Sequence, residues 1–463
     1  MEEKNLVKKK FRVCIPTAGT GSRVNRISNN LNKSLIPINN KAAISHIIDY
    51  FPLNYEFVIP LGYKGNLVRE YLELAHPKNK FYFTNIKKYK GKGSGLGLTL
   101  LKSKKYLQCP FIFISCDTLI NKKIKKIPDH NWIGYSSGKL SNQYRKVELN
   151  KKKDVTNFLG KKSKKKKNCK NYIGLAGIYD FKEFWKNMKN DKNSIREGEI
   201  AGIKSFRNKK IKSYKFDWYD IGNTKSYNYT KNKLYNKKNN INILEKEKES
   251  IWFNDKIVIK YFEDKSIIKK RLIRSEYLKN YIPKILNEKK NMYSYKKFHG
   301  EIFSKVNDVK IFHKLLNHLI KFNKLKKNGN SNLFKKNCLA FYKDKTLSRL
   351  SHFYKKFYIE DNIFSINHSK KIKLKKILNK INWNNISNGI AGRFHGDLHF
   401  ENIIYSHSSN KICFLDWRQD FGNSIKIGDI YYDLAKLLHG LIVSHEAVIK
   451  NNYTIKKKIT KSY

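Results

Sequence analysis

Between residues 11 and 120 the chain alternates short apolar runs with amphipathic stretches, and this restricts its fold more than any other feature. "FRVCIPT" (11–17), "YEFVIPLGY" (55–63), "FYFTNI" (81–86) and "PFIFISCDT" (110–118) read as buried strands. "AAISHIIDYF" (42–51), "NLVREYLELA" (66–75) and "LGLTLLKSKKYL" (96–107) between them have helical spacing. Strand–helix–strand repetition of this kind predicts a doubly wound α/β fold with a mostly parallel sheet covered on both faces. Ligands in such sheets bind beyond the carboxyl ends of the strands. "TAGTGSR" (17–23) and "SCDT" (115–118) stand at two such ends.

A chain of 463 residues has room for two or three cores. The stretch 230–250 is polar, charged and nearly aperiodic, which places a linker at 236–249 between domains 1–235 and 250–463. "SIWFNDKIVIKYFED" (250–264) reads as a hairpin turning at Asn254-Asp255, and "SIIKKRLIRSEYLKNYI" (266–282) as the helix after it. Residues 311–390 are largely helical by pattern, and no internal repeat is visible.

Composition narrows the class of function. No run of 18 apolar residues exists, so no membrane insertion is expected. The first residues lack the apolar core of a secretory signal, and the cytoplasm is the expected location. Six cysteines at 14, 109, 116, 169, 338 and 413 form no C-x-x-C pair, which suggests neither a zinc site nor a disulfide framework. The formal charge of +61 fits a nucleic-acid or anionic-membrane binder. It also fits a compositional origin, because abundant Lys, Asn, Ile, Tyr and Phe share A/T-rich codons and the lysines run through both halves. No basic stripe with interleaved aromatics stands out, so no specific nucleic-acid partner is expected. A basic nucleic-acid-associated protein built on nucleotide-binding folds remains the alternative from another class. The run "KKSKKKKNCK" (161–170) reads as a solvated loop, since like charges repel.

Ala18, Gly19 and Gly21 are small enough to let backbone N–H groups approach phosphate oxygens. Arg23 and Lys33 can neutralise a triphosphate. The loop is not a Walker A motif, and taken alone a tight structural turn explains it equally well. The ordered set of motifs resembles the sugar-phosphate nucleotidyltransferases. "GTGSR" (19–23) stands for their Gly-rich loop, "NKSLIPI" (32–38) for their Pro-Lys segment with Lys33, Leu35 and Pro37, "ISCDT" (114–118) for a metal-binding strand end, and "DWYDIGN" (217–223) for a late acidic segment. Asn32 replaces the family's proline and Asn223 its threonine. The resemblance covers roughly residues 11–230 and implies a GT-A-like fold. It implies Arg23 and Lys33 as catalytic groups and Asp117 and Asp220 as Mg²⁺ ligands. Gly93, Ser94 and Gly95 in "YKGKGSGLG" (89–97) would read the nucleobase, and Lys161 would contact the acceptor phosphate.

"RFHGDLHFENIIY" (393–405) and "KICFLDW" (411–417) carry a second acid set. In D-x-x-x-x-N followed by a strand-terminal Asp, the first acid takes a hydroxyl proton while the Asn and second Asp hold Mg²⁺ on ATP. The segment is similar to the aminoglycoside and choline kinases, which share the protein-kinase fold. By that resemblance, over about 250–445, Asp397 is the base and Asn402 and Asp416 are metal ligands. Asp433 in "YYDLAKLL" is structural and His395 braces the loop. Lys260 holds ATP phosphates with Glu276 as its partner, and "MYSYKKFHGEIF" (292–303) is the hinge. Such kinases continue for several helices beyond this point. The short stretch after Ala435 is therefore expected to leave the C-lobe incomplete, with Leu434, Leu437 and Leu438 exposed.

Together the two resemblances imply a bifunctional enzyme using ATP, a second NTP and Mg²⁺. One half would phosphorylate a sugar, polyol or amino-alcohol. The other would join the resulting phosphate to a nucleotide, giving an activated precursor for surface polysaccharide or lipid decoration. A nucleotidyltransferase with an inactive, truncated kinase half is the other reading in this class.

Overall fold

A computed structural model describes residues 11–443 except 25–29, 125–128, 162, 164–167, 205, 207–209, 235–247, 324–330, 358–364, 367–368 and 371–372. The chain forms two compact units, Met1–Glu263 with Asn287–Ser294, and Asp264–Leu286 with Tyr295–Tyr463. Most of the expected 236–249 linker lies outside the described residues. Among the described residues no helix is long and apolar enough to cross a membrane.

The first unit is a mixed α/β sheet. Strands β1 (Arg12–Cys14), β2 (Glu56–Leu61), β3 (Lys80–Asn85) and β4 (Phe111–Ile114) run parallel in the order β3-β2-β1-β4. Helices Ala43–Ile48, Gly65–Ala75 and Leu96–Ser103 lie between them in sequence. The strands β5 (Trp132–Ser136), β6 (Lys146–Leu149), β7 (Val155–Leu159), β8 (Cys169–Ile178) and β9 (Lys212–Lys215) complete nine. Here the expectation of a mostly parallel sheet needs correction, because β8 runs antiparallel to β4, β5 and β6. The reason is the connections: parallel neighbours need a long crossover, whereas antiparallel ones accept a simple loop. After residue 132 the parallel pair β5–β9 is the one with helices between its strands, Phe181–Asn190 among them. Alternate strand residues feed two apolar layers. Val13, Phe57, Ile59, Ile112 and Ile114 face one, and Cys14, Val58, Phe111 and Phe113 the other.

The hairpin β10 (Glu249–Asn254) and β11 (Ile257–Phe262) explains why the units divide at Glu263 instead of in the linker. Trp252 is fully buried in the first unit's core. Its indole N–H donates to the Leu35 carbonyl at 2.9 Å, and its ring meets Tyr71 edge-on at 5.0 Å. The Tyr261 hydroxyl donates to the Asn30 carbonyl at 3.1 Å, and the Asn254 amide to the Ala75 carbonyl. Asn254 pairs with Ile257, so the turn is Asp255-Lys256, one residue beyond the expected place. Asp255 takes the left-handed conformation there (φ 44°).

In the second unit, strands Ile403–Ser406 and Lys411–Phe414 form a hairpin, with Glu301–Ile302 on its edge. Helices Lys265–Leu278, Val309–Asn323, Asn332–Leu339, Lys345–Phe357 and Ile430–Ile442 surround it in sequence, in keeping with the helical pattern of 311–390. Phe334, Phe341, Phe394 and Phe421 form an aromatic core. On the helix Ile430–Ile442 Leu434 and Leu438 are 42% and 57% exposed, as expected. Leu437 is 8% exposed, against expectation: it shares the inward face with Asp433, one turn away.

Candidate functional site

Asp117 follows β4, and two short strands bring a distant acid to it. Thr118–Ile120 pairs antiparallel with Trp218–Asp220, setting Thr118 opposite Asp220. Both carboxylates then flank Gly222. A Cβ there would stand 2.8 Å from Asp220 Oδ1 and 3.3 Å from Asp117 Oδ2. Lys33 completes the group, its Nζ 2.5 Å from Asp117 Oδ2. It is aimed by the turn Lys33–Leu35, capped by the buried Asn32, whose Oδ1 accepts from the Ser34 amide at 2.9 Å. The Asn32 amide donates to the carbonyls of Thr17 and Tyr63, so this departure from the family's proline is structurally satisfied. Asn223, the other departure, caps the helix Thr224–Lys233 by accepting from the Ser226 amide at 3.0 Å.

The electrostatics follow from this crowding. Burial works against the charge on Asp117, but Lys33 outweighs it and holds the carboxyl below its usual range. Burial and then Asp117 push the Asp220 carboxyl up. Two facing carboxylates, one of them raised by the other, suit a hard divalent cation such as Mg²⁺. Among the described residues no group of three or more Asp, Glu, His or Cys side chains could hold a metal. Two carboxylates are fewer than the octahedral set of ligands that Mg²⁺ takes, so an ion held by them would complete its shell with water or substrate oxygen. Two supports had no sequence signal of their own. Ser115 Oγ donates to Asp117 Oδ1 at 2.5 Å, and the Tyr144 hydroxyl to Asp220 Oδ2 at 2.9 Å.

Ala18 is buried, its carbonyl accepting from the Tyr63 amide at 3.0 Å. Gly21 needs its left-handed φ of 67° and packs on the Lys33 stem. Gly19 is exposed with open space where a Cβ would stand, so no protein atom requires glycine there. Arg23 is exposed, and its charge helps lower Asp117. The Lys161 ammonium is lowered by desolvation and then by Arg23 and Arg145, while Asp117 and Asp220 oppose this. Arg23, Lys33, Lys161, Asp117 and Asp220 thus share one field. Lys146, a buried lysine, donates to the carbonyls of Lys161 at 2.8 Å and Ser163 at 3.0 Å. In a chain with 98 Lys and Arg residues it looks like any other lysine. Gly93 has φ 80°, Ser94 donates to the Gly91 carbonyl at 2.7 Å, and a Cβ on Gly95 would strike the Ile195 carbonyl at 2.3 Å. Local packing thus accounts for Gly95.

In the second unit Asp433 accepts from the amides of His395 at 2.5 Å and Gly396 at 2.8 Å, which fixes the loop before Asp397. His395 is fully buried, and burial lowers its imidazole to about 3, so it braces the loop as a neutral ring. Asp397 lies 3.1 Å from Lys436 and 3.7 Å from His399. Burial would raise the Asp397 carboxyl, but His399 and Lys436 hold it well below its usual range. Burial likewise opposes charge on His399, yet Asp397 and Glu401 raise it to about 9. Asn402 Nδ2 donates to the Asp397 carbonyl at 2.9 Å. The Leu415 amide donates to the Asn402 carbonyl at 2.7 Å, which brings Asp416 alongside. Asp416 adopts φ 56°, a strained conformation for an aspartate that clusters at functional sites. Its Oδ1 is 2.6 Å from Arg271 Nη1. Lys260 is buried on β11 of the first unit. Glu276, expected to partner it, is exposed on the helix Lys265–Leu278, whose buried face carries Arg271 and Arg274 instead.

No family model matches the chain. The bifunctional protein GlmU of Methanococcus maripaludis is 26% identical over 149 residues, 32% of this chain and 34% of that protein. The chain thus spans about a third of the length of that curated relative. The solved CTP:phosphocholine cytidylyltransferase of Streptococcus pneumoniae aligns at 15% identity and TM-score 0.40, over 49% of this chain and all of that one. A UDP-glucose pyrophosphorylase complexed with UDP-glucose aligns at 17% and TM-score 0.40, over 49% of this chain and 98% of that one. The inositol-1-phosphate CTP transferase of T. maritima aligns at 13% and TM-score 0.39, over 49% and 96%.

Proposed function

We propose that the first unit transfers a nucleotidyl group from an NTP to a phosphorylated small molecule, and that the second phosphorylates the alcohol that becomes this acceptor. The observation that carries the first part is the convergence of Asp117, Asp220 and Lys33 around Gly222. The local likeness to a stretch of GlmU supports it. An acceptor phosphate oxygen attacks the α-phosphorus, and pyrophosphate leaves. Both reactants are anions, so positioning and charge neutralisation are the main needs. Arg23, Lys33 and Lys161 hold phosphate oxygens. Asp117 and Asp220 would hold Mg²⁺, which when bound neutralises charge on the phosphates.

The second part rests on the Asp397–Asn402–Asp416 arrangement. The substrate hydroxyl oxygen bonds to the γ-phosphorus of ATP, the bond to ADP breaks, and the hydroxyl proton passes to Asp397. Asp397 is a weak base, so it serves chiefly by orienting the hydroxyl. Asn402 and Asp416 would hold Mg²⁺ on the phosphates. The product is an NDP-activated compound for surface polysaccharide or lipid decoration, and the nucleotide supply places both steps in the cytoplasm.

The test is separability. Asp117→Ala should abolish pyrophosphate release and leave ADP formation, and Asp397→Ala should do the reverse. If either substitution stopped both activities in a folded protein, the two-site reading would be wrong.

A further inference from the structure

Around Asp397 the second unit gathers cations on aromatic rings. Lys345 Nζ stands 3.2 Å from the centroid of Phe341 and 5.2 Å from that of Tyr432. The Arg418 guanidinium lies 5.0 Å from the Phe341 centroid, and Lys436 Nζ 5.8 Å from that of Tyr432. The two rings meet edge to face at 4.7 Å, so both belong to one wall. Arg349 is one turn beyond Lys345 on the same helix, and like charges at that spacing repel.

Few acids balance this group. Asp416 is held by Arg271 at 2.6 Å and Asp420 by Lys270 at 2.8 Å. Asp397 faces Lys436 but is shared with His399. Among the described residues Lys345, Arg349 and Arg418 have no ion pair with an acid. Desolvation first, then Arg418, Arg349 and Lys436, lowers the Lys345 ammonium to about 7. Contact with the rings leaves the mutual repulsion of these four like charges in place.

We infer that the alcohol phosphorylated by the second unit is itself an anion, a phosphate- or carboxylate-bearing hydroxyl compound held by Lys345, Arg349, Arg418 and Lys436 against Phe341 and Tyr432. This rests on the phosphoryl-transfer reading of Asp397 and narrows its acceptor. Cationic amino-alcohols and aminoglycosides would be repelled. The anionic group sits on the cations while a hydroxyl reaches Asp397.

Titration calorimetry on the full chain tests this with glycerol 3-phosphate, glycerate, choline and glucose as probes. The variant is Lys345→Met with Arg349→Met. Lys215→Met with Lys310→Met, two exposed lysines elsewhere, is the control for lost net charge. At least one anionic probe should bind, choline and glucose should not, and the 345/349 variant should weaken that anion about tenfold, as loss of charge-assisted contacts requires. ATP affinity and the control pair should be unchanged. Tighter binding of choline or glucose, no binding of either anion, weakening of ATP instead, or equal weakening by the control would each overturn the inference. If ATP yields no phosphorylated product while an anion still binds through Lys345 and Arg349, phosphoryl transfer falls and the ligand class stands.

Discussion

The side-chain amide of Asn402 donates to the main-chain carbonyl of Asp397 at 2.9 Å. One hydrogen bond therefore ties the Asn402 side chain to the backbone of Asp397, the two residues proposed above as metal ligand and base. On its proposed role in holding Mg²⁺ on ATP, Asn402→Ala should lower ADP formation at least about tenfold, since even the partners of metal ligands typically matter by that much. The same change removes a hydrogen bond worth only about 0.5–1.5 kcal/mol, so thermal unfolding should shift little. A large fall in melting temperature would show the bond to be structural instead.

Gly222 is where Asp117 and Asp220 face each other. The added methyl of Gly222→Ala would press on Asp220 Oδ1 at 2.8 Å. Nucleotidyl transfer should fall steeply, and the concentration of magnesium needed for half-maximal rate should rise. Unchanged kinetics would mean that the two carboxylates do not act as a pair.

Trp252→Ala should destabilise the first unit by about 3–5 kcal/mol, the usual range for removing a buried large aromatic. A shorter chain, 1–235, lacks the whole hairpin and should unfold at lower temperature than the full chain's first unit. Calorimetry or intrinsic fluorescence reads both. Equal stability of 1–235 would show the hairpin to be dispensable.

Glu199 is buried, and burial pushes its carboxyl up to about 7. In the unfolded chain it titrates near the ordinary 4.5. Between those values the folded protein holds a proton that the unfolded chain has lost. Stability from this group is therefore complete below pH 4.5 and falls as pH rises towards 7, by at most about 1.4 kcal/mol per pH unit. Glu199→Gln should flatten that slope in denaturant titrations at pH 5, 6 and 7. An unaltered slope would place its origin elsewhere.

The first half of the sheet is legible because each buried strand alternates its two faces and each crossover helix has its own period. The second half is not, since antiparallel β5–β8 depends on loops whose path the sequence does not state. The pairing of Asp117 with Asp220 is visible only through family resemblance: nothing local to "SCDT" or "DWYDIGN" predicts the register of Thr118 against Asp220. The hairpin 249–262 reads correctly as a hairpin, but its ownership depends on the acceptor for Trp252, which lies at Leu35. Lys146 is invisible in the sequence for a simple reason. In so basic a chain, burial alone distinguishes a working lysine from a solvated one, and burial is a property of the fold.

The segment Asn287–Ser294 belongs with the first unit although it follows the first stretch of the second. The chain therefore passes between the units three times, at 263, 286 and 294. During synthesis domains generally fold as they emerge, the N-terminal one first. Here the ribosome must release residue 294 before the first unit has all its parts, by which time the helix Lys265–Leu278 is already outside. The two units cannot mature strictly in turn, and a gene fusion that swapped one of them for a homologue would have to carry both crossing segments with it.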